Sequence, residues 1–304
     1  AAIQSAADAK KDQISKNNAL TAEEKAKAIQ QVDNAVQAAK NAINAAGTDA
    51  KVTEEQGNGT NAIAGINPSP VAKPAALAAV EQAAETKKAA IRSNAALTSD
   101  EKAEAERKVN EELAKAQQAI KDAADEATVT SEQGKGTSAI SGVAETPVAR
   151  PAADKVVEDA ATAKRQEIQN NGGLTDEEKA AAIAKVDAAE RDAKAAIKAA
   201  ESSADVAAKG EAGKAAIEAI KAIEDQAQST KALAKAEITQ AEQDKKREIE
   251  NNTQLTREEK NDAIRAVEAK AQDARNAIDA AQKLADVQTQ VAQGKAAITA
   301  VPQT

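Results

Sequence analysis

Large aliphatic residues recur along this chain in pairs that lie eleven residues apart. Eleven residues make three turns of an α-helix, so both members of a pair lie on one helix face. Alanine and charged residues fill most positions between them. Three such pairs in succession predict a three-helix bundle with an apolar contact near either end. The pairs are Ile3/Ile14, Val32/Ile43 and Val52/Ile63, which return as Val80/Ile91, Val109/Ile120 and Val129/Ile140, as Val157/Ile168, Val186/Ile197 and Val206/Ile217, and as Ile238/Ile249, Val267/Ile278 and Val287/Ile298.

A helix-start motif repeats with the same period. Residues 20–25 read Leu-Thr-Ala-Glu-Glu-Lys, and related sequences stand at 97–102, 174–179 and 255–260, at spacings of 77, 77 and 81 residues. A Thr followed three residues later by Glu predicts a capping box at a helix N-terminus. A fixed period indicates a repeat array. A long two-stranded coiled coil would instead keep a 3.5-residue apolar repeat. We therefore predict an all-α fold, a tandem array of four three-helix bundles that forms an elongated rod.

The repeats divide the chain into four predicted domains, namely helical repeats 1 to 4 at residues 1–69, 70–146, 147–223 and 224–304. Prolines in 67–74 and 145–151 predict short, stiff connectors between the first three repeats. Neither Pro nor Gly occurs from Lys214 to Asn251. There we expect the third helix of repeat 3 to continue unbroken into the first helix of repeat 4, which would make the array stiffest at that point.

Asparagine and glycine mark two further positions of each repeat. An Asn follows each first helix, and we expect it to end the helix in the left-handed conformation. A Gly lies inside each third helix, where it costs about 1 kcal/mol relative to Ala, so it indicates either a break or a close backbone contact. These residues are Asn17, Asn94, Asn171 and Asn252, and Gly59, Gly136, Gly213 and Gly294.

Composition excludes several classes of function. The chain has no Cys, Met, His, Phe, Tyr or Trp, and its formal net charge is −8. Without His or Cys there is no imidazole base, no thiolate and no ordinary zinc or haem site. The negative charge and the lack of aromatic rings argue against a nucleic-acid partner. No apolar run reaches the roughly 18–20 residues of a membrane span. We expect no enzyme activity, no catalytic, cofactor-binding or metal-binding residue, no small-molecule substrate and no membrane insertion.

Three weaker motifs have simpler explanations. Residues 57–62 and 134–139 match the G-x-G-x-x-A dinucleotide fingerprint, but a helical stretch precedes them where the fingerprint needs a strand. The acidic pairs Glu23–Glu24 and Glu177–Glu178 are favourable charges at helix N-termini. A lysine recurs at one position of each first helix, where a row of ligand contacts is the alternative to a flank whose aliphatic stems cover the core. The lysines are Lys10, Lys87, Lys164 and Lys245.

The pattern Ile14…Asn17…Leu20-Thr21…Val32…Ile43…Val52…Ile63 resembles the helical repeat of roughly 75 residues found in Gram-positive cell-wall-anchored surface proteins of the extracellular-matrix-binding-protein-homologue type. That repeat is catalogued as a domain of unknown function and is similar in style to albumin-binding and FIVAR three-helix modules. The resemblance implies an extracellular, cell-wall-anchored location and a role in attachment or biofilm. The chain has no Tyr or Phe, so the albumin-binding surface does not carry over. A start at Ala1 without Met suggests a piece excised from a longer protein.

Two functions remain open at this point. The first is a structural stalk that projects a distal binding domain from the cell wall. The second is a module that binds a host matrix or serum protein multivalently through exposed helix faces. We take Val36, Leu113, Glu190 and Ala271 as equivalent exposed positions, and their variation favours the stalk because a repeated binding face would keep one residue type. We expect the chain to be a monomer in isolation.

Overall fold

The computed structural model describes residues 1–303, which contain twelve α-helices and one 3₁₀ turn but no strand. The chain divides into two compact units, Ala1–Pro147 and a second that begins at Val148. Each unit holds two three-helix bundles, here called modules 1 to 4 in chain order. Their helices are α1 (Ala2–Lys16), α2 (Ala22–Ala45) and α3 (Asp49–Ala64); α4 (Ala72–Ser93), α5 (Ser99–Asp122) and α6 (Glu126–Ser141); α7 (Ala149–Gln169), α8 (Asp176–Ala199) and α9 (Ser203–Glu218); and α10 (Thr230–Asn251), α11 (Arg257–Ala280) and α12 (Leu284–Thr299).

The paired aliphatic residues form the module cores, as predicted. In modules 2, 3 and 4 all six members of the three pairs are buried, together with small alanines between them. In module 1, Ile43 and Val52 are only half-buried. The reason is that α1 has 15 residues whereas α4 has 22. Helix α1 therefore lacks the turns that cover the corresponding end of module 2. The all-α repeat architecture is confirmed.

Each third helix is continuous through its central glycine, so the glycine marks a close contact and the alternative of a break is wrong. A Cβ atom placed on Gly136 would lie 2.4 Å from the Cβ of Ala116 on α5, which is closer than two carbon atoms can approach. The equivalent distances for Gly59, Gly213 and Gly294 are 2.5, 2.4 and 2.5 Å. Glycine thus lets the third helix pack directly against the alanine face of the second helix.

The four predicted capping boxes are present. In each, the Thr side chain accepts a hydrogen bond from the backbone N–H of the Glu three residues later, and that Glu accepts one from the Thr N–H. The prediction that these asparagines adopt the left-handed conformation is wrong, because no described residue has a positive φ. The asparagine side chain instead accepts a hydrogen bond from the backbone N–H two residues ahead, an Asx turn that reverses the chain without a left-handed residue. Asn17, Asn94, Asn171 and Asn252 all do so, at 2.9–3.0 Å.

The expected unbroken helix between modules 3 and 4 is also wrong. Helix α9 ends at Glu218, the 3₁₀ turn occupies Gln226–Gln228, and α10 begins at Thr230. Ile220 turns back to pack against the module 3 core. The side chains of Asp225 and Ser229 accept hydrogen bonds from the backbone N–H groups of Ala227 and Ala232. Such local side-chain bonds compete with helix continuation. The segment between modules 3 and 4 is therefore an interrupted connector, and the greater stiffness expected from an unbroken helix does not follow.

Proline placement differs from the expected connectors in one respect. Pro74 and Pro151 lie inside the first turns of α4 and α7, whereas Pro68, Pro70 and Pro147 lie between helices. Proline fits a first turn because the N–H groups there have no partner within the helix.

Candidate functional site

The chemical motifs do not assemble into a site. Among residues 1–303, no cluster of His, Cys, Asp and Glu side chains could hold a metal ion, and no helix is long and apolar enough to cross a membrane. Residues 57–62 and 134–139 lie in the continuous helices α3 and α6. The dinucleotide fingerprint needs a strand that leads into a turn and then a helix. A glycine-containing helix is therefore the correct interpretation of both segments.

The acidic pair at the start of α2 contacts the next module. Glu24 Oε2 accepts the hydrogen bond of the capping box from Thr21 N–H, at 2.9 Å. Its other oxygen, Oε1, accepts hydrogen bonds from the backbone N–H groups of Val71 at 2.8 Å and Ala72 at 3.1 Å. One carboxylate thus caps two helices, its own and the first helix of module 2. The capping box holds the side chain in the orientation that this second role requires.

Helix α4 needs this outside partner because it has no cap of its own. Its N-cap residue is Val71, which makes no side-chain hydrogen bond and is 67% exposed. Valine is among the poorest N-cap residues, since it offers no acceptor to the free N–H groups of the first turn. Glu24 supplies the missing acceptor from the preceding module. It also places a negative charge at the positive end of the α4 dipole.

Further hydrogen bonds complete the junction between modules 1 and 2. Glu23 Oε2 accepts from the backbone N–H of Glu126, the first residue of α6, at 3.0 Å. The N–H of Ala22 donates to the carbonyl of Ala124 at 2.9 Å. The ammonium group of Lys73, which is 7% exposed, donates to two carbonyls. These belong to Asn18 in module 1, at 2.9 Å, and Lys121 in module 2, at 2.7 Å.

The second unit repeats this arrangement between modules 3 and 4. Glu178 Oε1 accepts from the N–H of Thr230 at 2.8 Å and from its hydroxyl at 2.7 Å. Glu177 accepts from Leu284 N–H at 3.1 Å. Lys231 is 3% exposed. Its ammonium group donates to the carbonyls of Gly172 at 3.0 Å and Asp279 at 2.8 Å, and Asp176 N–H donates to Gln282 O at 2.9 Å. Here α10 also has its own cap, Ser229.

In both units, therefore, one end of a module binds the opposite end of the next. We call the two surfaces the trailing end and the leading end. The trailing end comprises the loop after the first helix and the first turn of the second. The leading end comprises the starts of the first and third helices and the residues that follow the second.

The electrostatics of the junction favour ionised carboxylates. Burial of Glu24 opposes its ionisation, but hydrogen bonds from the backbone N–H groups at the starts of α2 and α4 outweigh that effect. The pKa of Glu24 therefore lies below its ordinary value of 4.5. Burial likewise opposes ionisation of Glu178, and hydrogen bonds from Thr175 and Thr230 lower its pKa below the ordinary value. Both groups accept as anions, which strengthens the hydrogen bonds.

The recurring lysine of each first helix is a packing residue, and the ligand-contacting row is not supported. Its aliphatic stem covers the alanine-rich core, and each side chain is buried or half-buried. Each ammonium group has a partner within its own module. The pairs are Lys10 with Asn67 Oδ1 at 3.3 Å, Lys87 with Glu145 at 2.6 Å, Lys164 with Glu167 at 2.8 Å, and Lys245 with Glu248 at 3.3 Å.

The four equivalent positions that were expected to be exposed lie in or beside the core. Val36 and Ala271 are buried, at 8% and 0% exposure, and Leu113 and Glu190 are half-buried. The position lies one turn after the core valine of each second helix and therefore on the same face. Its variation describes the core and carries no information about a binding surface.

A comparison with known families fits this repeated architecture. The model of one family, described as Domain of Unknown Function (DUF1542), matches residues 1–71, 72–148, 149–225 and 230–304. The chain belongs to this family. No curated protein and no solved structure matches it. The domain boundaries drawn from the sequence stay a prediction.

The sequence analysis of this DUF1542 chain did not predict the buried junction lysines, Lys73 and Lys231. A usable signal is present, since Val71-Ala72-Lys73-Pro74 and Val148-Ala149-Arg150-Pro151 share a valine, a cation and a proline at equal spacing. A cation that recurs at the same position of two connectors, next to Val, Ala and Pro, indicates a side chain that is at least partly buried and bonded. The Arg150 guanidinium donates to the carbonyl of Ala200, at 2.7 Å.

Proposed function

We propose that this chain is a non-enzymatic spacer, a stalk segment of a bacterial surface adhesin that projects a distal binding domain from the cell wall. The observation that supports this function is the end-to-end junction of modules 1 and 2 and its repetition between modules 3 and 4. The extracellular, wall-anchored location is part of the proposal and rests on the resemblance to surface-protein repeats.

The bonding of the junction suits a spacer. A connector alone would let two bundles swivel, because few contacts would oppose rotation. Glu24, Glu23 and Lys73 instead bind main-chain groups at three separate places on the facing module ends. Three separated attachments fix both direction and rotation. Because each second helix has 24 residues, each end-to-end step adds about 36 Å.

The alternative of a multivalent host-protein binder needs one exposed patch that recurs in every module. The large apolar side chains most open to solvent do not recur in this way. Two stand at the starts of α4 and α7, and two occur in module 4 alone. They are Val71, Val148, Leu233 and Leu284. The spacer is therefore the function that we favour.

Small-angle X-ray scattering on the monomer tests the spacer. Four bundles joined end to end would reach roughly 150 Å, and a rod of that length has a radius of gyration near 43 Å. A compact chain of this length would give about 19 Å. We expect a value near the first. A value near the second would mean that the modules fold back on one another, and the spacer proposal would fail.

A further inference from the structure

Two Asn-Gly dipeptides occur in the chain, and the structure places them in opposite environments. One is Asn58-Gly59, in the interior of helix α3. The other is Asn171-Gly172, in the loop that joins α7 to α8. An asparagine followed by glycine is chemically labile, because glycine has no side chain to shield its backbone nitrogen from the neighbouring amide carbon. The local structure then decides whether the two groups can react.

The loop around Asn171 is arranged as such a reaction requires. Asn171 Oδ1 accepts a hydrogen bond from Gly173 N–H at 3.0 Å, in an Asx turn that folds the side-chain amide over the peptide bond that follows. This hydrogen bond polarises the amide carbonyl and stabilises negative charge that develops on its oxygen. Among residues 1–303, the N–H of Gly172 donates to no backbone or side-chain acceptor. Gly172 is also exposed, and a Cβ atom placed on it would have no atom within 4 Å.

Asn58 lacks these features. In a continuous α-helix the N–H of Gly59 is a donor to the preceding turn, and the helical backbone holds the side-chain amide carbon away from the glycine nitrogen. The amide group of Asn58 donates to Glu55 Oε2 at 3.3 Å. Gly59 is buried against Ala39, whose Cβ lies 2.5 Å from the position of an added Cβ. Helix α3 must therefore open locally before this dipeptide can react.

We propose that Asn171 is a site of spontaneous deamidation, which converts it to aspartate and isoaspartate and loosens the junction between modules 3 and 4. The Gly172 nitrogen attacks Cγ of Asn171, so that an N–Cγ bond forms, the Cγ–Nδ2 bond breaks, and ammonia leaves with the proton of the glycine amide. The product is a cyclic succinimide. Water then opens the ring, giving aspartate when the new N–Cγ bond breaks and isoaspartate when the original peptide bond breaks. This inference does not depend on the spacer function.

Isoaspartate at this position displaces an acceptor of the junction. The Gly172 carbonyl accepts from the ammonium group of Lys231, which is 3% exposed, at 3.0 Å. In isoaspartate the main chain runs through Cβ and Cγ, so it gains a carbon atom before Gly172 and the carbonyl is moved. The former main-chain carbonyl of Asn171, which accepts from Leu174 N–H at 3.4 Å, becomes a free carboxylate. Of its two carbonyl partners Lys231 keeps only Asp279, and a buried cation that loses an acceptor is destabilised.

The other modules place the same Asx turn before a larger residue. Asn17, Asn94 and Asn252 are followed by Asn18, Ala95 and Thr253. A side chain at that position hinders attack by the backbone nitrogen, so the labile combination of turn and glycine belongs to module 3. Thr253 is exposed, and the Asx turn of Asn252 closes on Gln254 N–H at 2.9 Å. Module 4 therefore offers a position where the missing glycine can be introduced.

The test incubates the full chain in mildly alkaline buffer and measures deamidation at each asparagine by peptide mapping and mass spectrometry. We expect Asn171 to react at least about tenfold faster than Asn58, because α3 must open first. Gly172→Ala should suppress the reaction at Asn171, and the alanine is accommodated because it meets no atom within 4 Å and no positive φ. Thr253→Gly should confer on Asn252 a deamidation rate near that of Asn171.

Hydrogen–deuterium exchange at the start of α10, residues 230–236, measures the effect on the junction. Electron-transfer fragmentation identifies the isoaspartate form, and ion exchange separates it from the unreacted chain. We expect the isoaspartate form to exchange at least about tenfold faster there than the fresh chain, since Lys231 loses a charged hydrogen bond. A fresh Asn171→Asp variant adds the charge without lengthening the main chain and should keep the original exchange.

Four results would overturn the proposal. Deamidation of Asn171 no faster than that of Asn58 would remove the site, and so would an undiminished rate in Gly172→Ala. Thr253→Gly that leaves Asn252 unreactive would show that the Asx turn and glycine are not sufficient. Exchange at the start of α10 that is unchanged in the isoaspartate form, or equally fast in fresh Asn171→Asp, would refute the displacement of the Gly172 carbonyl as the cause of a looser junction.

Discussion

The Glu24→Ala substitution separates the two roles of one carboxylate. It removes the capping box of α2 and, with it, the bonds to Val71 and Ala72 at the start of α4. Glu259→Ala is a matched control, because Glu259 closes the same capping box on α11 and, among residues 1–303, bonds only to Thr256 of its own helix start. The difference between the two variants therefore measures the bond between modules.

The magnitudes follow from the bonds lost. Both variants lose the hydrogen bond from the Thr N–H to the Glu carboxylate, and both keep the bond that the Thr side chain accepts from the backbone N–H three residues later. A hydrogen bond to a charged group contributes about 1.5–3 kcal/mol. Because Glu24 is partly exposed, we expect its two junction bonds together to contribute about 2 kcal/mol. We expect the two junction bonds lost in Glu24→Ala to cost about 2 kcal/mol beyond the capping-box bond that Glu259→Ala also loses. Glu178→Ala should fall between them, because Ser229 continues to cap α10.

Residue-resolved amide exchange by NMR is the suitable assay, since a chain of four modules does not unfold in two states. A loss of about 2 kcal/mol at the start of α4 corresponds to roughly 30-fold faster exchange. We expect that change at the Val71 and Ala72 amides in Glu24→Ala and none there in Glu259→Ala. Equal exchange rates of these two amides in the unsubstituted chain, in Glu24→Ala and in Glu259→Ala would refute the inference that Glu24 of module 1 caps helix α4 of module 2.

Two further predictions concern packing and pH. Gly136→Ala should destabilise module 2 by about 1–3 kcal/mol, because the added Cβ would lie 2.4 Å from the Cβ of Ala116. Gly134→Ala should stabilise module 2 by about 1 kcal/mol, because no atom lies within 4 Å of the added Cβ and alanine favours a helix more than glycine does. Thermal unfolding followed by circular dichroism distinguishes the two signs. Because the pKa values of Glu24 and Glu178 are lowered below 4.5, the stability that their ionised forms add is present above about pH 4.5 and is lost as pH falls through the lowered values. The protection factors of the amides at the starts of α4 and α10, which compare each exchange rate with the intrinsic rate at the same pH, should therefore fall below pH 4.5. A Glu24→Gln variant that kept the full pH dependence of protection at α4 would contradict this assignment.

The fold could be predicted from the sequence because its determinants are local and repeated. Spacing of the aliphatic pairs defines helix faces, and the Leu-Thr-x-Glu motif marks where each second helix begins. Both depend on residues within three turns of one another. Repetition four times in one chain makes each of these signals stronger than a single occurrence would be.

The predictions that failed share a cause. Contacts between residues distant in sequence, or other local hydrogen bonds, override the local helix pattern on which those predictions were based. No propensity argument ends α9 at Glu218, since the break depends on Ile220 reaching the core and on capping by Asp225 and Ser229. Glu24 was predicted to stabilise its own helix, and it does. Its second oxygen binds residues 47 and 48 positions later in the chain. Only the packing of two modules brings those atoms together.

The junction also explains how a tandem repeat tolerates divergence between its modules. On the receiving side, the bonds of Glu23 and Glu24 end on main-chain N–H groups, and those of Lys73 end on main-chain carbonyls. Every helix end offers such groups whatever its side chains are. A module must therefore keep the carboxylate pair at one end and the cation at the other, and the rest of its surface is free to change. Position 257 illustrates this freedom, because Arg replaces an Ala or Asp whose contact was made by the backbone alone.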